Sequence, residues 1–226
     1  MNHNDIVVCD DAEQVASRAA EIICDAAQRS VRKTESFRFA FSGGSTPWRM
    51  FELLTTMAMP WHFTQLYQVD ERIAPDGDPD RNLTQLLRCL EGISVAINAM
   101  PVTSTNLDMA AATYASQLPT AFDLVHLGLG VDGHTASLVP GDPLLDETRA
   151  LVGITGTYQG HRRMSLTFPV LDAADQVLWL VTGAEKSPAL EKLRAGDTTI
   201  PAGRVHARRT LLIVDKAALG EQGAAS

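Results

Sequence analysis

Basic residues are in short supply. Nineteen Lys and Arg face 27 Asp and Glu, a formal net charge of -8 over 226 residues. A general nucleic-acid binder, or a protein held to an anionic membrane surface, needs a concentrated basic patch. HRR at 161–163 and HARR at 206–209 are too short to make one, so neither partner is expected. Cysteine is scarce too: Cys9, Cys24 and Cys89 are odd in number and far apart, with no C-x-x-C or zinc spacing. This argues against a disulfide framework or a metal cluster and fits a reducing cytosol. No apolar run approaches the roughly 20 residues that span a bilayer, and MNHNDIVVCDD at the N-terminus lacks a basic segment followed by an apolar signal core. Repeats, low-complexity tracts and Pro/Gly/Ser-rich linkers are missing as well. One cytoplasmic α/β domain over 1–226 is the expectation, frayed from about residue 220.

Several catalytic signatures are also missing. FSGGS at 41–45 is followed by no Gly-Lys-Ser/Thr, so it is not a Walker loop, and it does not complete a dinucleotide fingerprint. Its serines stand outside the glycines, so there is no G-x-S-x-G nucleophile elbow. No H-E-x-x-H or H-x-x-E-H announces zinc.

What is present alternates. Apolar residues recur at helical spacing from Asp11 to about Lys33, and FRFAF reads as a strand ending at SGGSTP. WRMFELLTTM follows as a helix with Pro47 in its first turn. LYQVDER reads as a strand with a charged exit, RNLTQLLRCLEG and LDMAAATYASQL as helices, and FDLVHLGLG as another strand. QVLWLVTG, AEKSPALEKL and TLLIVD continue as strand, helix and strand. The pattern predicts a Rossmann-like fold, a mostly parallel sheet with helices on both faces. In such sheets ligands bind beyond the carboxyl ends of the strands. The unusual residues, 42–46, 70–72, 128–134 and 182–186, all follow strands and so belong at one edge.

Each of these segments admits two readings. Gly43, Gly44, Ser45 and Thr46 could present backbone N–H groups and a helix N-terminus to an anion, or Ser45 or Thr46 could simply cap the helix. Asp70, Glu71 and Arg72 could serve as acid, base and oxyanion ligand, or Glu71 and Arg72 could form a structural ion pair. Gly128, Gly130 and Gly133 either ease a turn or clear backbone for a ligand. His134 after them is a general base or a turn histidine bonded to backbone. Arg163 and Lys186 are further cations, each a ligand contact or a surface charge.

Taken together, FSGGSTP, VDERIAP, DLVHLGLGVDGHTASLVPG, RMSLTFPVLDAA and VTGAEKSPAL resemble the 6-phosphogluconolactonases in order and spacing, over nearly the whole chain. The resemblance implies an enzyme that hydrolyses 6-phospho-D-glucono-1,5-lactone to 6-phosphogluconate in the oxidative pentose phosphate pathway. The fold it implies is shared with glucosamine-6-phosphate deaminase and ribose-5-phosphate isomerase. His134 would be the general base, and Asp132 would hold the turn or orient the histidine. SGGST with Arg72, joined by Arg163 or Lys186, would cradle the phosphate, with Asp70 and Gly130 also lining the substrate. Because a lactone is an activated ester, a positioned water and one base suffice, and no metal or cofactor is expected. A monomer or homodimer is anticipated. One departure stands out: Arg81 precedes Asn82 where relatives commonly read Ser-Asn, giving a cation that strengthens phosphate binding or faces solvent. Two competitors are an amino-sugar-phosphate isomerase or deaminase with Asp70 as base, and a non-catalytic sugar-phosphate sensor that has no need of His134.

Overall fold

A computed structural model describes residues 5–221; from 222 onward the expected frayed tail lies outside them. The chain runs β1 (Asp5–Cys9), α1 (Ala12–Thr34), β2 (Phe37–Phe41), α2 (Ser45–Thr55), β3 (Thr64–Gln68), β4 (Asp70–Arg72), α3 (Asn82–Cys89) and β5 (Ala96–Asn98). It continues with α4 (Leu107–Gln117), β6 (Leu124–Gly128), β7 (Val152–Ile154), β8 (Arg163–Leu166), α5 (Phe168–Asp172), β9 (Val177–Val181), α6 (Ser187–Ala195) and β10 (Thr210–Asp215).

Local chemistry sets the element ends. The Asp11 carboxylate accepts the Gln14 amide at 2.9 Å and caps α1, a contact worth about 1 kcal/mol. Strand alternation then sorts the core. Phe39, Phe41, Leu178, Leu180 and Ile213 face one side, against Val15, Ala19 and Ile23 of α1 and Met50 and Leu54 of α2. Ala40, Val125, Leu127, Trp179, Leu212 and Val214 face the other, with Tyr114 of α4 and Leu190 of α6.

Seven strands pair in the order β1-β10-β9-β6-β2-β3-β5, each neighbouring pair parallel. This is the expected α/β sheet with helices on both faces. The chain steps outward from β2 to β3 on one side and from β6 to β9 on the other. The gap between the carboxyl ends of β2 and β6 is therefore the topological switch point, where such sheets place their ligands.

One expected strand is really two. LYQVDER does not run through a single sheet: the Val69 amide still donates to Phe41 O at 2.9 Å, but its carbonyl accepts from Leu166 at 2.8 Å. At that residue the chain leaves the parallel sheet, and β4 joins a small antiparallel sheet ordered β4-β8-β7. The consequence is functional, because Asp70 and Arg72 are carried across the mouth of the switch point opposite Arg163. Among the described residues no helix is long and apolar enough to cross a membrane.

Candidate active site

A cavity of about 380 Å³ opens at the switch point. Gly43, Gly44, Ser45, Thr46, Asp70, Arg72, Gly130, His134, Arg163 and Lys186 all line it. Five stretches of sequence, from Gly43 to Lys186, thus meet at one edge.

The first wall is the loop after β2. Helix α2 begins at Ser45, its N-cap is Gly44 at φ 140, and no side chain caps it. This corrects the capping alternative. Thr46 Oγ1 instead meets Thr182 Oγ1 at 3.0 Å, tying the loop to the end of β9. By helix geometry the Ser45 and Thr46 amides have no acceptor inside α2, so they and the positive end of the helix dipole face the cavity. Below the loop, the Ser42 amide donates to Nδ1 of His126, a fully buried side chain on β6. Burial holds the imidazole down to about 3, so it is neutral and its Nδ1 lone pair can accept from Ser42.

The second wall comes from β4 and the start of α3. Arg72 Nη1 donates to Asn82 Oδ1, and Asn82 Nδ2 donates to Asp70 O at 2.9 Å. Gly43 permits this: a Cβ there would stand 2.0 Å from Asn82 Oδ1. Asp70, 4% exposed, accepts from Ser137 Oγ at 2.5 Å. Glu71 does not pair with Arg72 through its guanidinium. Its carboxylate accepts the amides of Asn82 at 2.8 Å and Leu83 at 2.9 Å, capping α3 from a distance, and lies 3.5 Å from Arg81 Nε. Arg81 neither lines the cavity nor faces solvent. It is 3% exposed, held between Glu71 and Asp76, because the carboxylate that caps α3 needs a countercharge when buried.

The third wall is the turn after β6. The Gly130 amide donates to His134 O at 2.8 Å and the Gly133 amide to Gly130 O at 3.0 Å, closing a tight loop. A Cβ on Gly130 would fall 2.0 Å from His134 Nδ1, so glycine is what lets the imidazole fold back over the turn. Asp132 Oδ1 lies 2.6 Å from that Nδ1 and also accepts the His134 amide at 3.1 Å. Burial opposes the Asp132 charge, but hydrogen bonds from the His134 amide and ring and from Tyr158 outweigh it and hold the carboxyl below its ordinary value. The ionised carboxylate fixes the proton on Nδ1 and leaves Nε2 as an acceptor. A histidine so oriented can remove a proton from water.

Arg163 completes the ring from β8. It is 5% exposed, with Nε unpartnered among the described residues. Burial pulls it below its ordinary value, Asp70 opposing and Arg72 reinforcing. Its Nη2 reaches Gln159 Oε1 only at 3.4 Å, and a buried guanidinium so loosely held suits an anion that supplies a stronger partner. Arg72, Arg163, Lys186 and the α2 N-terminus thus outnumber the two carboxylates of the lining, Asp70 and Glu185, in an acidic protein. His161 and His206 do not join it: the first pairs with Asp80 at 3.2 Å and the amide of the second with Asp172 at 2.6 Å.

Three contributors had no notice in the sequence pattern. Asn82 was seen only as a neighbour of Arg81. His126 is hidden in an apolar strand. Tyr158 sits on a hairpin whose turn, Gln159-Gly160 with φ 48 and 84, is the positive-φ pair of a two-residue hairpin; that dipeptide was the available signal.

The family model described as glucosamine-6-phosphate isomerases/6-phosphogluconolactonase matches residues 10–214. The chain is 38% identical over 192 residues to the human GDH/6PGL endoplasmic bifunctional protein, covering 77% of this chain but 24% of that one. It therefore spans about a quarter of the length of that relative. It is 30% identical over 234 residues to a 6-phosphogluconolactonase of Nostoc, covering 96% of this chain and 97% of the relative. The crystal structure of a 6-phosphogluconolactonase from Thermotoga maritima superposes with a TM-score of 0.84 at 25% identity, over 94% of this chain and 99% of that one.

Proposed function

The chain belongs to the glucosamine-6-phosphate isomerase/6-phosphogluconolactonase family, and we propose that it hydrolyses 6-phospho-D-glucono-1,5-lactone to 6-phosphogluconate. One observation carries the reading: an imidazole held by a carboxylate at 2.6 Å shares a cavity with an uncapped helix N-terminus and three cations. The cations and free amides bind the phosphate, and the histidine acts at the other end of the sugar.

Binding comes first. The α2 amides, Arg72, Arg163 and Lys186 hold the dianion and place the lactone C1 over His134, turning a collision with water into an oriented step. His134 Nε2 takes a proton from a water as its oxygen attacks C1. The carbonyl π pair moves to oxygen, forming a tetrahedral oxyanion that cavity N–H groups stabilise. The oxyanion then collapses, the bond from C1 to the ring oxygen breaks, and the imidazolium returns its proton to the departing ring oxygen. The product is the open hydroxy acid, which ionises to 6-phosphogluconate. Asp132 keeps the ring in the productive tautomer and stabilises the imidazolium. Asp70, the base that the deaminase reading requires, is engaged by Ser137 and Asn82 and serves here to position Arg163 by charge.

On this reading residues up to about 220 act as one catalytic domain, a monomer or homodimer in the cytosol that works on a small molecule without nucleic acid or membrane. The test generates the lactone in situ with glucose-6-phosphate dehydrogenase and follows 6-phosphogluconate above the spontaneous background. Acceleration by the wild type and none by His134→Asn is expected. No acceleration by the wild type, with 6-phosphogluconate still bound, overturns catalysis in favour of a sensor.

A further inference from the structure

Tyr158 is outside the ring of residues that line the cavity, yet it touches the part that does the chemistry. Its hairpin tip, set by the Tyr158–His161 pairing at 2.9 and 3.2 Å, hangs from the β7–β8 hairpin over the turn after β6. The phenol donates to Asp132 Oδ2 at 3.1 Å and lies 3.4 Å from His134 Nδ1. Its ring stands edge-on to the imidazole, with centroids 5.3 Å apart at 66°. The Arg163 guanidinium stacks 5.2 Å over the same ring.

From this geometry we infer that Tyr158 is a positioning residue for the reaction: it shares the Asp132 carboxylate with His134 and thereby sets how strongly that carboxylate holds the imidazolium. The inference rests on the lactonase reading of the site. The physical basis is competition for one anion. Asp132 offers Oδ1 to the histidine and Oδ2 to the phenol, and each hydrogen bond that stabilises the carboxylate reduces the charge available to the other. Arg163 sharpens the effect, because a cation over the ring makes the phenol a better donor. The hydroxyl also accepts from Gln159 Nε2 at 3.4 Å, which turns its proton toward Asp132. Arg163 faces both the tyrosine and the cavity, so Tyr158 bridges the proposed anion site and the proposed base.

Removing the hydroxyl while keeping the ring isolates this role. In Tyr158→Phe the carboxylate loses one donor, interacts more strongly with the protonated histidine, and keeps the imidazole protonated to higher pH. The other charged residues that line the cavity with His134 are left in place: Asp70 and Arg72 from β4, Arg163 from β8, Glu185 and Lys186 before α6. The acid limb of the kcat/KM profile should therefore move up by about half a unit to one unit, with KM unaltered. At a pH well above the limb the variant should approach the wild-type rate.

A second readout needs no turnover. The carboxyl carbon of Asp132, followed by NMR in the free protein, should titrate at higher pH in Tyr158→Phe than in the wild type. A pH profile and a carboxyl titration that both match the wild type overturn the inference, and so does a rise in KM alone, which would place Tyr158 on the substrate. If the carboxyl titration moves but the wild-type protein does not hydrolyse the lactone, the coupling stands and the functional reading falls.

Discussion

The loop after β2 and the turn after β6 lie side by side at the switch point and are both built on glycine, but they are finished in opposite ways. In the first, the backbone is left open: Gly44 caps nothing with a side chain, and the Ser45 and Thr46 amides have no acceptor inside α2. In the second, the backbone is closed on itself through Gly130, Gly133 and His134, and Asp132 takes up one ring nitrogen. What remains for a ligand is a set of donors in one loop and a single acceptor nitrogen in the other. Donors suit a phosphate that must be held. A lone acceptor on a rigid turn suits a proton that must be moved.

The comparison is broken most severely at the turn. His134→Asn keeps a polar side chain beside Asp132 but removes the base, and kcat should fall by about 10²- to 10⁴-fold with KM little changed. Steady-state rates against the spontaneous background measure this, and an unchanged kcat would remove His134 from the role. On the binding side the pattern should invert. Arg163→Met takes away a buried guanidinium, and losing hydrogen bonds to a charged group costs about 1.5–3 kcal/mol, a rise in KM of roughly 10- to 100-fold with kcat largely kept. A fall in kcat with constant KM would show that Arg163 acts on the transition state and not on the phosphate.

Gly43→Ala sharpens the comparison without touching a charge. The new methyl would stand 2.0 Å from Asn82 Oδ1, so Asn82 and the Arg72 it holds must move. An effect of about 1.4 kcal/mol, or tenfold in KM, is expected if Arg72 binds phosphate. The double variant with Arg72→Met tests this directly: if Gly43 acts through Arg72, the second change adds little to the first.

How far the sequence foretold this arrangement follows from how locally each part is determined. Both loops were legible, because a strand that ends in glycines fixes its own position at the sheet edge whatever the rest of the chain does. Arg72 and Arg163 could be named but not placed. The turn of the chain at Val69 from one sheet into another depends on Leu166 pairing with it across 97 residues. Strands β1, β5, β7 and β8 went unread, the last three because three or four residues carry too little periodicity to stand out. Tyr158 was invisible for a stronger reason: its partner Asp132 is 26 residues away and is reached only through the hairpin that β7 and β8 form. The Arg81 departure was legible as a change, but its burial against Glu71 was not, since that depends on Glu71 capping α3 from another strand.

The smallest expected effect concerns what supports the open loop from below. His126 lies under the Ser42 amide, fully buried, and is held by burial down to about 3 from an ordinary value of 6.5. Between those two pH values the unfolded chain binds a proton that the folded chain refuses, so stability rises with pH through this window. The contribution is complete above about pH 6.5 and is lost as pH falls toward 3, by up to about 1.4 kcal/mol per pH unit. His126→Asn supplies an amide oxygen to accept from Ser42 without a titrating ring. Urea unfolding at pH 7 and at pH 5 should show a shallower acid loss for the variant than for the wild type, while carboxylates such as Asp132 contribute equally to both. The turn after β6 has no such buried neutral histidine beneath it, so the acid sensitivity should appear first as faster amide exchange in residues 42–46 and not in residues 130–134. Equal slopes in the two proteins would mean that the imidazole accepts a proton inside the fold and that the open loop is held by its glycines and by Thr182 alone.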